Sequence, residues 1–95
     1  MMPPANATRP PEPPEIRLKR LRHQSWRRGT REMDLILGRF ADAELAALAG
    51  ADLDAYESLM QENDWDLYYW VTGARESPPG HAPLVARIAR FHEMR

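Results

Sequence analysis

The chain has no cysteine, which excludes a disulfide framework, a thiolate zinc site and a thiol nucleophile. Its five glycines make neither a GxGxxG nor a GxxxxGK pattern, so no phosphate loop is present. His23, His81 and His92 are scattered, none four residues from another histidine as a helical metal pair requires, and each reads as a surface histidine. Ser25, Ser58 and Ser77 have no neighbouring base in sequence. No apolar run approaches the roughly 18 residues that span a bilayer, so no membrane association is expected. Neither catalytic residues nor metal ligands emerge, and residue types favour a binding or assembly protein over an enzyme.

What is present is unevenly distributed. Six of nine prolines, Pro3, Pro4, Pro10, Pro11, Pro13 and Pro14, precede Glu15. Proline lacks a backbone donor, so residues 1–14 are expected to be a disordered, polyproline-biased tail, with residues 15–95 as one folded domain. The N-terminus has no apolar signal core, and Glu12 and Glu15 fit poorly with an acidic-poor transit peptide, which sets a cytoplasmic expectation.

Net charge is only −1, yet sign is segregated. Arg17, Lys19, Arg20, Arg22, Arg27, Arg28 and Arg31 crowd one stretch, while ten carboxylates between Glu32 and Asp66 face only Arg39. This predicts a positive and a negative pole, either as two solvated faces or as a surface that selects a partner by charge. Arg17, Lys19, Arg20 and Arg22 are the candidate docking surface. Nucleic acid is disfavoured as a partner: the isoelectric point is about 6.3, Trp26 is the one aromatic in the basic stretch, and the acidic half would repel a phosphate backbone.

Apolar periodicity from Glu15 onward is helical, and nothing alternates like a strand. The fold expected is all-α, a single small bundle of about five short helices. The first, about residues 15–28, aligns only Leu18, Leu21 and Ser25 and should lie peripherally. Met33, Ile36, Leu37 and Phe40 follow an i, i+3, i+4, i+7 rule, and Leu45 and Leu48 extend that set as a bent continuation or a new short helix. Leu53, Tyr56, Leu59 and Met60 mark the next helix, with Asp52 as the capping candidate. Asp64 is the candidate cap of a helix burying Leu67, Trp70 and Val71 and stopping at Gly73. Pro83 suits the first turn of a last helix with Leu84, Ile88 and Phe91 on one side.

Two segments carry a recognisable pattern. Arg28-Gly29-Thr30-Arg31-Glu32-Met33-Asp34 is an RGxxE motif followed by an apolar residue and an aspartate, directly after a basic helix. Asp64, Asp66, Leu67, Trp70 and Gly73 form D-x-D-L-x-x-W-x-x-G. In this order and separation they resemble the SdhE-type flavinylation factors, also called the succinate dehydrogenase assembly factor 2 family, over about residues 17–92. The resemblance implies a small helical bundle that is not an enzyme. Such a bundle, here expected as a monomer, binds the flavoprotein subunit of succinate dehydrogenase, and often of fumarate reductase. It promotes covalent attachment of FAD to a histidine of that subunit. FAD is then handled on the partner and not bound stably by the factor, whose direct contact with flavin is left open. The rival readings are a nucleic-acid-binding module or an antitoxin-like regulatory module using the basic helix.

The resemblance places Arg28, Gly29 and Glu32 against the flavoprotein, with Arg31 and Asp34 as weaker candidates. A purely local account also exists. Gly29 lies at a helix junction, where freedom to adopt positive φ is useful. If Gly29 caps the second helix, Glu32 is at N3 and can reach back to an amide; if Thr30 is the cap, Glu32 is at N2 beside the positive helix end. Trp65, Tyr68, Tyr69 and Trp70 read as core and rim, with Trp70 the strongest core candidate.

Overall fold

The computed structural model describes residues 12–94. It contains helices α1 (Pro14–Ser25), α2 (Arg31–Glu44), α3 (Ala51–Leu59), α4 (Asp64–Thr72) and α5 (Ala82–Phe91), with a 3₁₀ turn at Leu45–Ala47 after α2. There is no strand among the described residues, so the all-helical expectation holds. The expected tail falls largely outside the described residues. Its last member, Pro14, opens α1 instead: at the first helical position its missing N–H has no partner to lose. Ile16 and Arg17 donate to the Pro13 carbonyl and complete the first turn.

α1 ends at Ser25, three residues before the expected boundary. The Trp26 N–H still bonds the Arg22 and His23 carbonyls, but the Arg28 N–H leaves the helical ladder for the Asp34 carboxylate. The chain then reverses, and α2 packs back along α1 as an αα-hairpin. Trp26 packs against α2 at Gly38, where a Cβ would come within 2.6 Å of three indole carbons, and its Nε1 donates to Asp42 at 3.1 Å. Gly38 is therefore a packing glycine.

The periodic apolar set of α2, Met33, Ile36, Leu37 and Phe40, is wholly buried. It meets Tyr56 and Leu59 from α3, Leu67 and Val71 from α4, and Val85 and Ile88 from α5. Phe40 stacks on Tyr56 with centroids 5.9 Å apart and takes the edge of Phe91 at 5.6 Å. That contact explains how Phe91 serves the core while its other face stays in water. Leu45 opens the 3₁₀ turn and Leu48 follows it, both buried, so the set continues past α2 as a tightened turn directly after the helix.

α1 contributes Leu21 and Ser25 to the core. Ser25 is fully buried although polar. Its Oγ donates to the Leu21 carbonyl at 2.7 Å, which spends its single proton, so the Tyr56 hydroxyl 2.6 Å away donates to it. Burial pushes the Tyr56 phenol up to about 12, against the opposing effects of the Ser25 hydrogen bond and the nearby Arg28 charge.

Two expected caps are corrected. α3 is entered through Gly50, at φ +56°, with Asp52 in its first turn making no side-chain cap. α4 is capped by Asn63, whose side chain accepts from the Asp66 N–H at 2.9 Å, because the Asp64 carboxylate is engaged elsewhere. Gly73 ends α4 in the left-handed region, φ +83°, as its position suggests.

Candidate functional site

Thr30 is the N-cap of α2, accepting from the Met33 N–H at 3.2 Å. Of the two local alternatives, this selects the one with Arg31 at N1 and Glu32 at N2. Asp34, in the same first turn, accepts from the Arg28 backbone N–H and so fixes the turn between α1 and α2.

Arg28 points inward. Its Nε donates to Asp64 at 2.7 Å, Nη1 to the Met60 carbonyl at 2.9 Å and Nη2 to the Glu62 carbonyl at 2.7 Å. Both carbonyls lie at the frayed end of α3, where helical geometry supplies no donor. The second Asp64 oxygen accepts from the Gly29 N–H. Gly29 is not at positive φ, contrary to the expectation from its junction position. Its missing side chain matters because a Cβ there would lie 2.8 Å from that Asp64 oxygen. The two sequence motifs thus interlock. The arginine and glycine of the first close on the opening aspartate of the second, joining the α1–α2 junction to the α3–α4 junction.

What remains on the outside is Glu32 with Arg31. Both are exposed, and neither makes a hydrogen bond or ion pair among the described residues. Beside Glu32 is a hollow of about 270 Å³ lined by Thr30, Met33, Asp64, Trp65 and Tyr68. Of the four aromatics expected as core and rim, Trp65 is 64% exposed and Tyr68 is exposed beside it, whereas Trp70 is buried as expected. The signal was present: Leu67, Trp70 and Val71 define the inward stripe of α4, and Trp65 and Tyr68 share a face off it.

The basic helix is less available than its composition suggests. Arg17 donates to Glu57 at 2.9 Å and to Asp54 at 2.7 Å; Arg20 donates to Glu12 at 2.9 Å and to Glu57 at 2.7 Å. Burial alone would raise the Glu57 carboxyl, but the hydrogen bonds from Arg20 and Arg17 outweigh it and hold the group below the usual carboxylate range. Packing the basic helix against acidic α3 ties Arg17 and Arg20 into an ion-paired seam, which reduces the expected positive pole without removing it. Lys19 and Arg22 are exposed and form no ion pair among the described residues.

Two histidines are also corrected. His81 is half-buried, stacked on Trp70 at 5.7 Å with Nε2 3.3 Å from Glu62, and the His92 ring N–H donates to the Ile36 carbonyl at 2.7 Å. Only His23 is a plain surface histidine. No group of three metal-ligating side chains exists among the described residues.

Fold and site together define a small helical domain whose internal clamp presents a carboxylate and two aromatic rings on one face. A family model described as "Flavinator of succinate dehydrogenase" matches residues 19–92. Over 86 residues the chain is 37% identical to succinate dehydrogenase assembly factor 2-B, mitochondrial, of Drosophila mojavensis, covering 88% of this chain and 55% of that protein. It is 36% identical over 91 residues to succinate dehydrogenase assembly factor 2, mitochondrial, of Drosophila grimshawi, covering 94% and 62%. A 58-residue match to the assembly factor 2 of Meyerozyma guilliermondii reaches 48% identity, covering 61% of this chain and 43% of that protein. The chain belongs to the succinate dehydrogenase flavinator family. It spans a little over half the length of the Drosophila relatives.

These relatives are named as mitochondrial, which overturns the cytoplasmic expectation. That expectation leaned on Glu12 and Glu15 as evidence against a transit peptide. Glu12 pairs with Arg20 of the folded domain, and Glu15 lies in the first turn of α1, where an acid complements the helix dipole. Neither residue reports on a leader.

Proposed function

We propose that this chain binds the flavoprotein subunit of succinate dehydrogenase as a monomer and promotes covalent attachment of FAD to a histidine of that subunit. The observation that carries the reading is the division within the RGxxE motif. Arg28, Gly29 and Asp34 are consumed by internal contacts, while Glu32 stands in the first turn of α2 with its carboxylate in water. A charge kept exposed by so much internal bracing is suited to meet a partner. The family description points to succinate dehydrogenase, and the flavoprotein subunit, where FAD resides, is the part of it this reading assigns.

In this role the chain is not an enzyme. The acceptor histidine and the flavin reside on the flavoprotein, and the factor contributes orientation and stabilisation of one partner conformation. Arg28, Gly29 and Asp34 act by positioning Glu32, and Arg31 sits beside it as a second charge on the same turn. Lys19 and Arg22 are the members of the basic helix left to assist docking.

The test is in-gel flavin fluorescence of the denatured flavoprotein from cells with and without this gene. Covalent flavin should fall sharply on deletion and return on complementation. Equal fluorescence in both strains would overturn the assignment. Salt-dependent, submicromolar binding to duplex or single-stranded nucleic acid would instead support a nucleic-acid module.

A further inference from the structure

Five large apolar side chains stand exposed in the described structure, and three of them, Trp65, Tyr68 and Met94, lie around Glu32. Trp65 and Tyr68 are three residues apart on α4 and share its outer face. Glu32 and Tyr68 line the hollow beside Trp65 and also a second hollow of about 290 Å³, which continues to Leu35, Arg39, His92 and Met94. The two hollows therefore adjoin as one strip between α2 and α4. Its Trp65 end is floored by Met33, and its far end is marked by Arg39 and Met94.

The charges in the strip are few and defined. Asp64 is neutralised by Arg28. Glu32 and Arg39 have no ion-pair partner among the described residues. They are seven residues apart on α2, about 10.5 Å along the helix axis. An aromatic pair in a concave apolar strip, flanked by isolated charges of opposite sign, has the composition of a protein-docking hot spot.

We infer that this strip seats a segment of the flavoprotein subunit that presents an apolar side chain to the Trp65–Met33 hollow, a lysine or arginine to Glu32 and a carboxylate to Arg39. The inference rests on the flavoprotein reading above and adds the surface and the chemical order of the occupant. The apolar group seats at Trp65, the cation follows at Glu32, and the anion lies about 10 Å further on. That separation fits two turns of helix or three residues of extended chain. Charge complementarity at two fixed points sets the direction of the segment, while ring burial supplies affinity.

The test is titration calorimetry of the whole chain with the purified flavoprotein subunit, comparing wild type, Trp65→Ala, Tyr68→Ala, Arg39→Glu, Glu32→Gln and Ile16→Ala. Ile16 is an equally exposed apolar residue on α1, outside the strip. Trp65→Ala and Tyr68→Ala should each weaken binding by about tenfold or more. Arg39→Glu should weaken it with a reversed contribution to its salt dependence, and Ile16→Ala should leave it within twofold. Circular dichroism and melting of the aromatic variants should match wild type, because neither ring belongs to the core. If both aromatic variants bind like wild type while Glu32→Gln does not, the strip is not the seat and the flavoprotein reading stands. If wild type itself does not bind the subunit, both fall. If sedimentation shows a dimer that Trp65→Ala dissociates, the occupant is a second copy and the inference is overturned.

Discussion

Replacing Arg28 with alanine removes three charge-assisted hydrogen bonds at once. The Asp64 carboxylate keeps the Gly29 N–H but loses its counter-charge, and the Met60 and Glu62 carbonyls lose their donors. Breaking a buried ion pair from one side costs about 3–5 kcal/mol. Here the two side chains retain 13% and 14% exposure, so water offsets part of the loss and about 2–4 kcal/mol is the expected destabilisation. A domain of roughly 80 residues has about 4–12 kcal/mol of total stability and melts about 4–8 °C lower per kcal/mol lost, so Tm should fall by roughly 8–32 °C. Arg28→Lys should lie between wild type and alanine, because an ammonium keeps the charge without the planar fork that reaches three acceptors. Asp64→Asn in combination with Arg28→Ala should cost less than the sum of the two, since each single change already breaks the shared contact. The assay is urea unfolding with thermal melting by circular dichroism. An Arg28→Ala melt within about 3 °C of wild type would refute the clamp and return Arg28 to the outer surface.

Gly38→Ala should destabilise by about 1–3 kcal/mol and shift Trp26 emission to the red, because the new methyl group occupies the indole's place. Ser25→Ala should cost about 1–2 kcal/mol by removing the close acceptor of the buried Tyr56 hydroxyl, measurable by urea unfolding. Glu57 has a lowered pKa in the folded state, so its contribution is present above the ordinary carboxylate pKa and is lost as pH falls through the folded value. Melts of wild type should therefore drop more steeply below about pH 4 than those of Glu57→Gln.

The helical plan was legible because apolar spacing is a one-dimensional signal. Met33, Ile36, Leu37 and Phe40 needed no neighbour to declare their face, and Leu67, Trp70 and Val71 likewise. What failed was competition between equivalent groups. Asn63 and Asp64 are both good caps, and the choice depended on Arg28, 36 residues away in sequence, claiming the Asp64 carboxylate. Gly29 looked like a φ glycine because junction glycines often are; its real constraint is an oxygen supplied by another helix. The basic helix read as a free pole because sequence alone does not tell that Arg17 and Arg20 fold onto Asp54 and Glu57. Both motifs were visible, but their interlocking was not. Without it the motif residues could not be divided into those that brace and the one that is presented.

That division can be tested with the purified chain, the apo-flavoprotein subunit and FAD, following protein-bound flavin fluorescence in denaturing gels over time. Glu32→Gln keeps the side chain's length and removes its charge. Its thermal midpoint should lie within a few degrees of wild type, since no internal partner is lost. Covalent flavin in its presence should accumulate at a small fraction of the wild-type rate. A folded Glu32→Gln protein that supports wild-type flavinylation would contradict the assignment of Glu32 to the working surface.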